Sequence, residues 1–379
     1  MTEPLIVVPL DGSELSEAAL PYARRVAKPL GARLLLVTVW EGSEPTLLTD
    51  LPAVAKDMTE SAQAYYMEYL LGLVKQSEAE GVVADAEVLI GHPVEEVLNL
   101  IGQRDPRLLV LATHGRSGIG RWWYGSVAGA LLRRAPVTTL AVGPKVLEKK
   151  VAPGPIKRIL VPLDGSALSE SALKPALELA DTFGASVVLA QALSWAAQSY
   201  LYGVPQIDMG QIDKELTAAA QDYLTRIRDS LGTGRPVETK VLHGFPADCL
   251  TDLVQEDAID LVVMASHSRG GLARMALGSV ADRVLQGAAP VLLVRPEAPV
   301  TGEAGSRGRY CQACGRAVPF SVVEKDDRCL RCGQHLHACA NCVYFDGVAC
   351  LVQRPEVHDT YPGLNCPEFQ FRERPAPTG

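Results

Sequence analysis

The string Val-Pro-Leu-Asp-Gly-Ser stands at residues 8–13 and again, letter for letter, at residues 161–166, 153 positions later. The same offset carries Gly31-Ala32 onto Gly184-Ala185, Pro93 onto Pro246, His114 onto His267 and Gly125-Ser126 onto Gly278-Ser279. A match that persists from one end of each half to the other records the duplication of one unit. The chain must therefore fold as two copies followed by an unduplicated tail. Any chemistry in the repeat is present twice, and each copy is a control for the other.

Within each copy, short apolar runs alternate with helical patterns. In the first, Leu5–Val8, Arg33–Val39, Ala84–Ile90, Leu108–Ala112 and Thr138–Val142 read as strands. Glu14–Lys28, Val54–Glu80, Pro93–Gly102 and Gly125–Arg134 read as helices. The second copy follows the same order from Ile159 to Val294. Strands of Val, Leu and Ile that alternate with helices imply a parallel sheet covered on both faces. Right-handed crossovers make such a sheet doubly wound. The expected fold class is α/β, with two tandem Rossmann-like doubly wound domains at residues 1–146 and 156–296 and a small cysteine-rich module at 309–379. Leu147–Pro155 and Glu297–Gly308 read as the linkers.

Composition removes several classes of function. The longest apolar runs, such as Leu34–Val37 and Leu261–Ala265, are too short to span a bilayer, so no membrane association is expected. No basic stretch leads into an apolar one near Met1, so no signal peptide is read and the cytoplasm is the expected compartment. Net charge is −8, and the tail from residue 309 balances eight basic residues against eight acidic ones. The basic excess that phosphate-backbone binding needs is absent, and nucleic acid is not an expected partner.

Two loops of the repeat carry chemistry. Asp11-Gly12-Ser13 follows the first strand and leads into a helix, and residues 112–126 follow the fourth. A doubly wound sheet brings the carboxyl ends of strands one and four together at its switch point, where ligands bind. Gly125-Ser126 opens a helix whose free amides and dipole favour phosphate. Taken singly, Asp11 and Ser126 also read as turn formers or N-caps.

The combination resembles the universal stress protein family, marked by an Asp after strand one and a Gly-x2-Gly-x9-Gly-Ser/Thr loop after strand four. The resemblance covers both repeats. It implies an adenine nucleotide, ATP or a relative and optionally with Mg2+, held by the strand-four loop and by the backbone of strand two. Carried onto this sequence, the implied binding residues are Pro9, Leu10, Asp11, Val39, Ala112, His114, Gly115, Arg116, Gly125, Ser126 and Val127 in the first copy. In the second they are Asp164, Ala265, Gly278 and Ser279. The family also pairs domains along an edge strand, so Thr138–Val142 and Val291–Val294 are expected to pair as an internal pseudo-dimer, with further homo-oligomerisation left open.

The copies are not equal. The first loop reads Ala112-x2-Gly115-x9-Gly125-Ser126, with one glycine replaced, and the second reads Ala265-x2-Ser268-x9-Gly278-Ser279, with two replaced. If Gly115 takes a positive φ, serine there costs on the order of 1 kcal/mol. Val39, at the adenine-contacting position, is matched by Ala192. Repeat one is therefore expected to bind nucleotide better than repeat two. No Gly-x4-Gly-Lys-Ser/Thr phosphate loop is present, and no general base stands beside a γ-phosphate, so binding with at most slow hydrolysis is expected. His114 and His267 are the aligned titratable residues in the loops and the best candidates for a titrating role, although a structural histidine capping strand four is the favoured reading. A nucleotide-free scaffold and a slow ATPase are the alternatives, and the functional expectation is a stress-response regulator or adaptor.

Eight of the nine cysteines fall in the tail. Cys311-x2-Cys314 and Cys329-x2-Cys332, 14 residues apart and each followed by glycine, have the spacing of a four-thiolate zinc ribbon. Cys339-x2-Cys342-x7-Cys350-x15-Cys366 supplies four more ligands, for a second zinc or for an iron–sulfur cluster. Two structural Zn2+ ions are expected, with the tail as the contact for a protein partner. In a module this small the metal would supply much of the folding energy.

Overall fold

The computed structural model describes residues 3–42, 52–113, 125–148, 153–194, 209–232, 234–265, 278–295, 307–309 and 373–375. They divide into two compact units, one holding the described residues of both repeats except Leu98–Arg104, the other taking in Leu98–Arg104 and a short antiparallel ribbon, with Arg307–Arg309 paired to Glu373–Pro375. The stretch read as a linker to Gly308 thus ends in a strand, because its last two residues find backbone partners 65 or more positions onward.

The first repeat runs β1 (Leu5–Leu10), α1 (Glu14–Glu17), α2 (Leu20–Leu30), β2 (Arg33–Trp40), α3 (Pro52–Ala79), β3 (Ala84–Ile90), α4 (Pro93–Arg104), β4 (Leu108–Ala112), α5 (Ser126–Arg134) and β5 (Thr139–Val142). A short helix, α6 (Pro144–Glu148), leads to the second: β6 (Arg158–Pro162), α7 (Ala167–Glu170), α8 (Leu173–Phe183), β7 (Ser186–Leu193), α9 (Met209–Ser230), β8 (Val237–His243), α10 (Pro246–Glu256), β9 (Leu261–Ala265), α11 (Ser279–Leu285) and β10 (Val291–Val294). The ribbon strands complete the set as β11 and β12.

Within each repeat the strands are parallel, in the orders β3-β2-β1-β4-β5 and β8-β7-β6-β9-β10. Covered on both faces, the central strands bury consecutive residues: Ile6, Val7 and Val8 are all inaccessible, as are Ile159, Leu160 and Val161. The helix expected over Glu14–Lys28 is instead two. Pro21, at the start of α2, has no N–H for the Glu17 carbonyl, and the helix steps at Ala18-Ala19.

The two sheets join. β5 and β10 pair antiparallel, with Ala141 opposite Val291, Leu140 opposite Leu292 and Thr139 opposite Leu293, so that ten strands form one sheet. This is the pairing expected from the sequence, and it covers two edges that would otherwise present unpaired backbone. The approach is close. A Cβ on Gly143, just past β5, would lie 2.0 Å from the Leu285 carbonyl oxygen at the end of α11. At the matching place past β10, Arg295 donates to the Leu132 carbonyl near the end of α5.

Candidate functional site

β1 ends at Leu10, and the chain turns through Gly12 at φ +78°, a left-handed conformation that a Cβ would strain although the space around it is open. Ser13 then caps α1, its Oγ accepting from the Ser16 amide at 3.2 Å. Asp11 is locked into this turn. Its Oδ1 accepts from the Ser13 amide at 3.0 Å and from Ser13 Oγ at 2.5 Å, and its own amide donates to Ser16 Oγ at 3.2 Å. Partial burial works to raise the Asp11 carboxyl, but the hydrogen bonds from Ser13 and Ser16 outweigh it and hold the group below its ordinary 3.8. The side chain is an exposed, oriented carboxylate.

The second repeat reproduces this turn. Gly165 sits at φ +79°, Asp164 Oδ1 accepts from Ser166 N and Oγ at 3.0 and 2.5 Å, and the Asp164 amide donates to Ser169 Oγ at 3.2 Å. Its carboxyl is held down by the same balance of burial against hydrogen bonds.

Both turns lie at switch points. β1 lies between β2 and β4, with Leu10 opposite Thr38 and Ile6 opposite Leu108. Pro9 and Leu10 of β1, Val39 of β2 one residue beyond its pairing with β1, and Ala112 at the end of β4 therefore share the carboxyl edge of one sheet. Ala265 holds the corresponding place at the end of β9. Gly125 (φ −52°, ψ 147°) and Ser126 are exposed and open α5, with Val127 in its first turn; Gly278 (φ −52°, ψ 145°) and Ser279 open α11 identically. Glycine brings no capping side chain, so first-turn amides face outward for a ligand. His114, Gly115, Arg116 and the eight tail cysteines lie outside the described residues. Among the described residues no three His, Cys, Asp or Glu side chains gather as a metal site.

Sequence reasoning missed one duplicated contact. Tyr69 of α3 donates to Glu17 Oε1 of α1 at 2.9 Å, and Tyr223 of α9 donates to Glu170 Oε1 of α7 at 2.9 Å. Burial, then the bond to glutamate and the nearby aspartate charge, push both phenols well above their ordinary range. Each tyrosine thus clasps the long helix to the short one that follows the Asp-Gly-Ser turn. The available signal was hidden by a one-residue slip, since Tyr69 and Tyr223 are 154 positions apart rather than 153.

Comparison with known proteins agrees with this architecture. The family model described as "Universal stress protein family" matches residues 5–143 and again 155–295. A universal stress protein of Mycobacterium tuberculosis is 29% identical over 315 residues, covering 76% of this chain and 94% of its own. One from Methanocaldococcus jannaschii is 33% identical over 142 residues, covering 37% of this chain and 82% of its own. Among solved structures, a universal stress protein from Archaeoglobus fulgidus aligns over 77% of this chain and 98% of its own, with a TM-score of 0.55 at 20% identity. A putative one from Pseudomonas aeruginosa aligns over 77% and 93%, with a TM-score of 0.53 at 15% identity, which speaks for the fold. Two tandem matches that together span most of the sequence, on a sheet built twice to one plan, establish that the chain belongs to the universal stress protein family.

Proposed function

We propose that the chain is an adenine-nucleotide-binding regulator or adaptor of the stress response, built as domains 1–146, 156–296 and 309–379. The observation that carries this reading is the oriented Asp11 carboxylate at the switch point, on the same sheet edge as Val39 and Ala112. An ionised, pre-positioned carboxylate suits ribose hydroxyls or a bound Mg2+, and the outward amides of α5 suit phosphate. Pro9, Leu10, Asp11, Val39, Ala112, His114, Gly115, Arg116, Gly125, Ser126 and Val127 would hold ATP or a related nucleotide in repeat one. Asp164, Ala265, Gly278 and Ser279 would form the weaker counterpart. One carboxylate without a partner base supports binding more than turnover, with hydrolysis slow at most.

The cysteine spacing supports a zinc module: Cys311, Cys314, Cys329 and Cys332 as one structural site, and Cys339, Cys342, Cys350 and Cys366 as the second. Its role in this reading is contact with a protein partner. Native mass spectrometry of the full chain purified from cells tests both parts at once. The expected mass carries an adenine nucleotide and two zinc ions. Protein that neither retains nor takes up nucleotide supports a nucleotide-free scaffold instead, and one zinc, or iron with visible absorbance, overturns the two-zinc assignment.

A further inference from the structure

The junction between the repeats carries a charge pattern that the duplication alone does not explain. Helix α2 of repeat one packs against α8 of repeat two. Arg107, just before β4, reaches across to Glu178 of α8 with Nη2 3.0 Å from Oε2. Partial burial lowers the guanidinium of Arg25 on α2, and the charge of Asp260, just before β9, counteracts part of that shift. These four residues are two equivalent pairs, because residue 25 matches 178 and residue 107 matches 260 at the 153-residue offset. The first position of one repeat is thus set against the second position of the other on both sides of the pseudo-two-fold, as an ion pair for Arg107 with Glu178 and through longer-range charge alone for Arg25 with Asp260. In repeat one both positions are arginine, and in repeat two both are acidic.

We infer that this junction is charge-coded, so that repeat one pairs with repeat two and not with a second copy of itself. Two copies of repeat one joined in the same way would set Arg25 against Arg107 twice. Two copies of repeat two would set Glu178 against Asp260 twice. Like charges in both self-pairings, and opposite charges only in the mixed one, form a specificity device that acts by excluding wrong partners. The backbone pairing of β5 with β10 cannot make this distinction, since Thr139–Val142 and Val291–Val294 are both short, apolar and buried. The side chains flanking the sheet do. The partner so specified is the other repeat, and a chain whose repeats are matched internally leaves no junction open to a second chain.

Full-length variants test the code. Arg25→Glu with Arg107→Glu makes all four positions acidic. The unfolding midpoint is expected to fall by several degrees in low salt, and the deficit to shrink as salt is raised. Arg107→Glu alone breaks one cross-repeat pair and makes repeat one complementary to itself. Sedimentation should then show self-association that grows with protein concentration and fades with salt. Adding Glu178→Arg restores the broken pair without disturbing Asp260, whose Oδ2 also accepts from the Lys157 and Arg158 amides at 2.7 and 3.0 Å. The midpoint should return to the wild-type value. A double-glutamate variant as stable as wild type in low salt overturns the inference. So does an Arg107→Glu midpoint that Glu178→Arg fails to recover.

Discussion

Asp11 and Asp164 show how a single side chain is fixed by its nearest neighbours. Every bond that holds Asp11 comes from within five residues, so the turn was legible in the string Asp-Gly-Ser before any fold was known. The Tyr69–Glu17 clasp was not, because 52 residues separate its partners and only the packing of α3 on α1 brings them together. The locked carboxylate has a consequence for pH. Its folded value lies below the ordinary 3.8, so the stability it contributes is complete above that value and is lost as pH falls through the lower, folded one. In Asp11→Asn the amide oxygen still accepts from Ser13, but the titration is gone. Between about pH 5 and pH 2 the unfolding midpoint of the variant should fall less steeply than that of wild type. Asp164→Asn should flatten the curve in the same direction, since its turn has the same geometry. A variant curve parallel to wild type across that window would mean that the hydrogen bonds do not favour the charged form.

Among the elements, strands were easier to read than helix ends. A run such as Leu-Ile-Val-Val announces a buried parallel strand, and β1 falls there. The step between α1 and α2 was missed because an amphipathic pattern continues through it, while the missing Pro21 amide breaks the hydrogen-bond ladder. The pairing of β5 with β10 was legible from their place as the last strand of each repeat. What the sequence could not convey is how near the backbones come. Gly143 has no room for a side chain, since a Cβ would meet the Leu285 carbonyl oxygen at 2.0 Å, and a backbone atom cannot swing aside as a side chain can. Gly143→Ala must therefore push α11 away from β5, at a cost of about 1–3 kcal/mol by comparison with overpacked cores. Gly154→Ala is the control, for its Cβ would point into open space. Thermal unfolding of the two full-length variants should show a clear loss for the first and almost none for the second. Equal midpoints would show that the two repeats are more loosely joined than this contact requires.

For the whole molecule, the question is whether duplication gives the proposed nucleotide site in two working copies or one. The Asp-Gly-Ser turns cannot decide it, because their bonds agree between repeats to 0.1 Å or better. Discrimination must come from positions where the two sequences differ: Val39 is matched by Ala192, and Gly115, outside the described residues, by Ser268. Valine exceeds alanine by two carbons, which at about 0.8 kcal/mol for each buried carbon is worth on the order of tenfold in affinity if both pack on a ligand. Any strain at Ser268 would add to that. Calorimetric titration of the full chain with ATP and Mg2+ is accordingly expected to resolve one tight site and a second at least about tenfold weaker. Asp11→Ala should remove the tight phase and leave the weak one, whereas Asp164→Ala should do the reverse. Because the turns are equivalent, the two substitutions should weaken their own sites by similar factors, and only the starting affinities should differ. Two sites of equal affinity would refute the inequivalence. Loss of both phases from either single substitution would show instead that the paired repeats bind as one unit, with nucleotide at one sheet edge sensed across the β5–β10 junction.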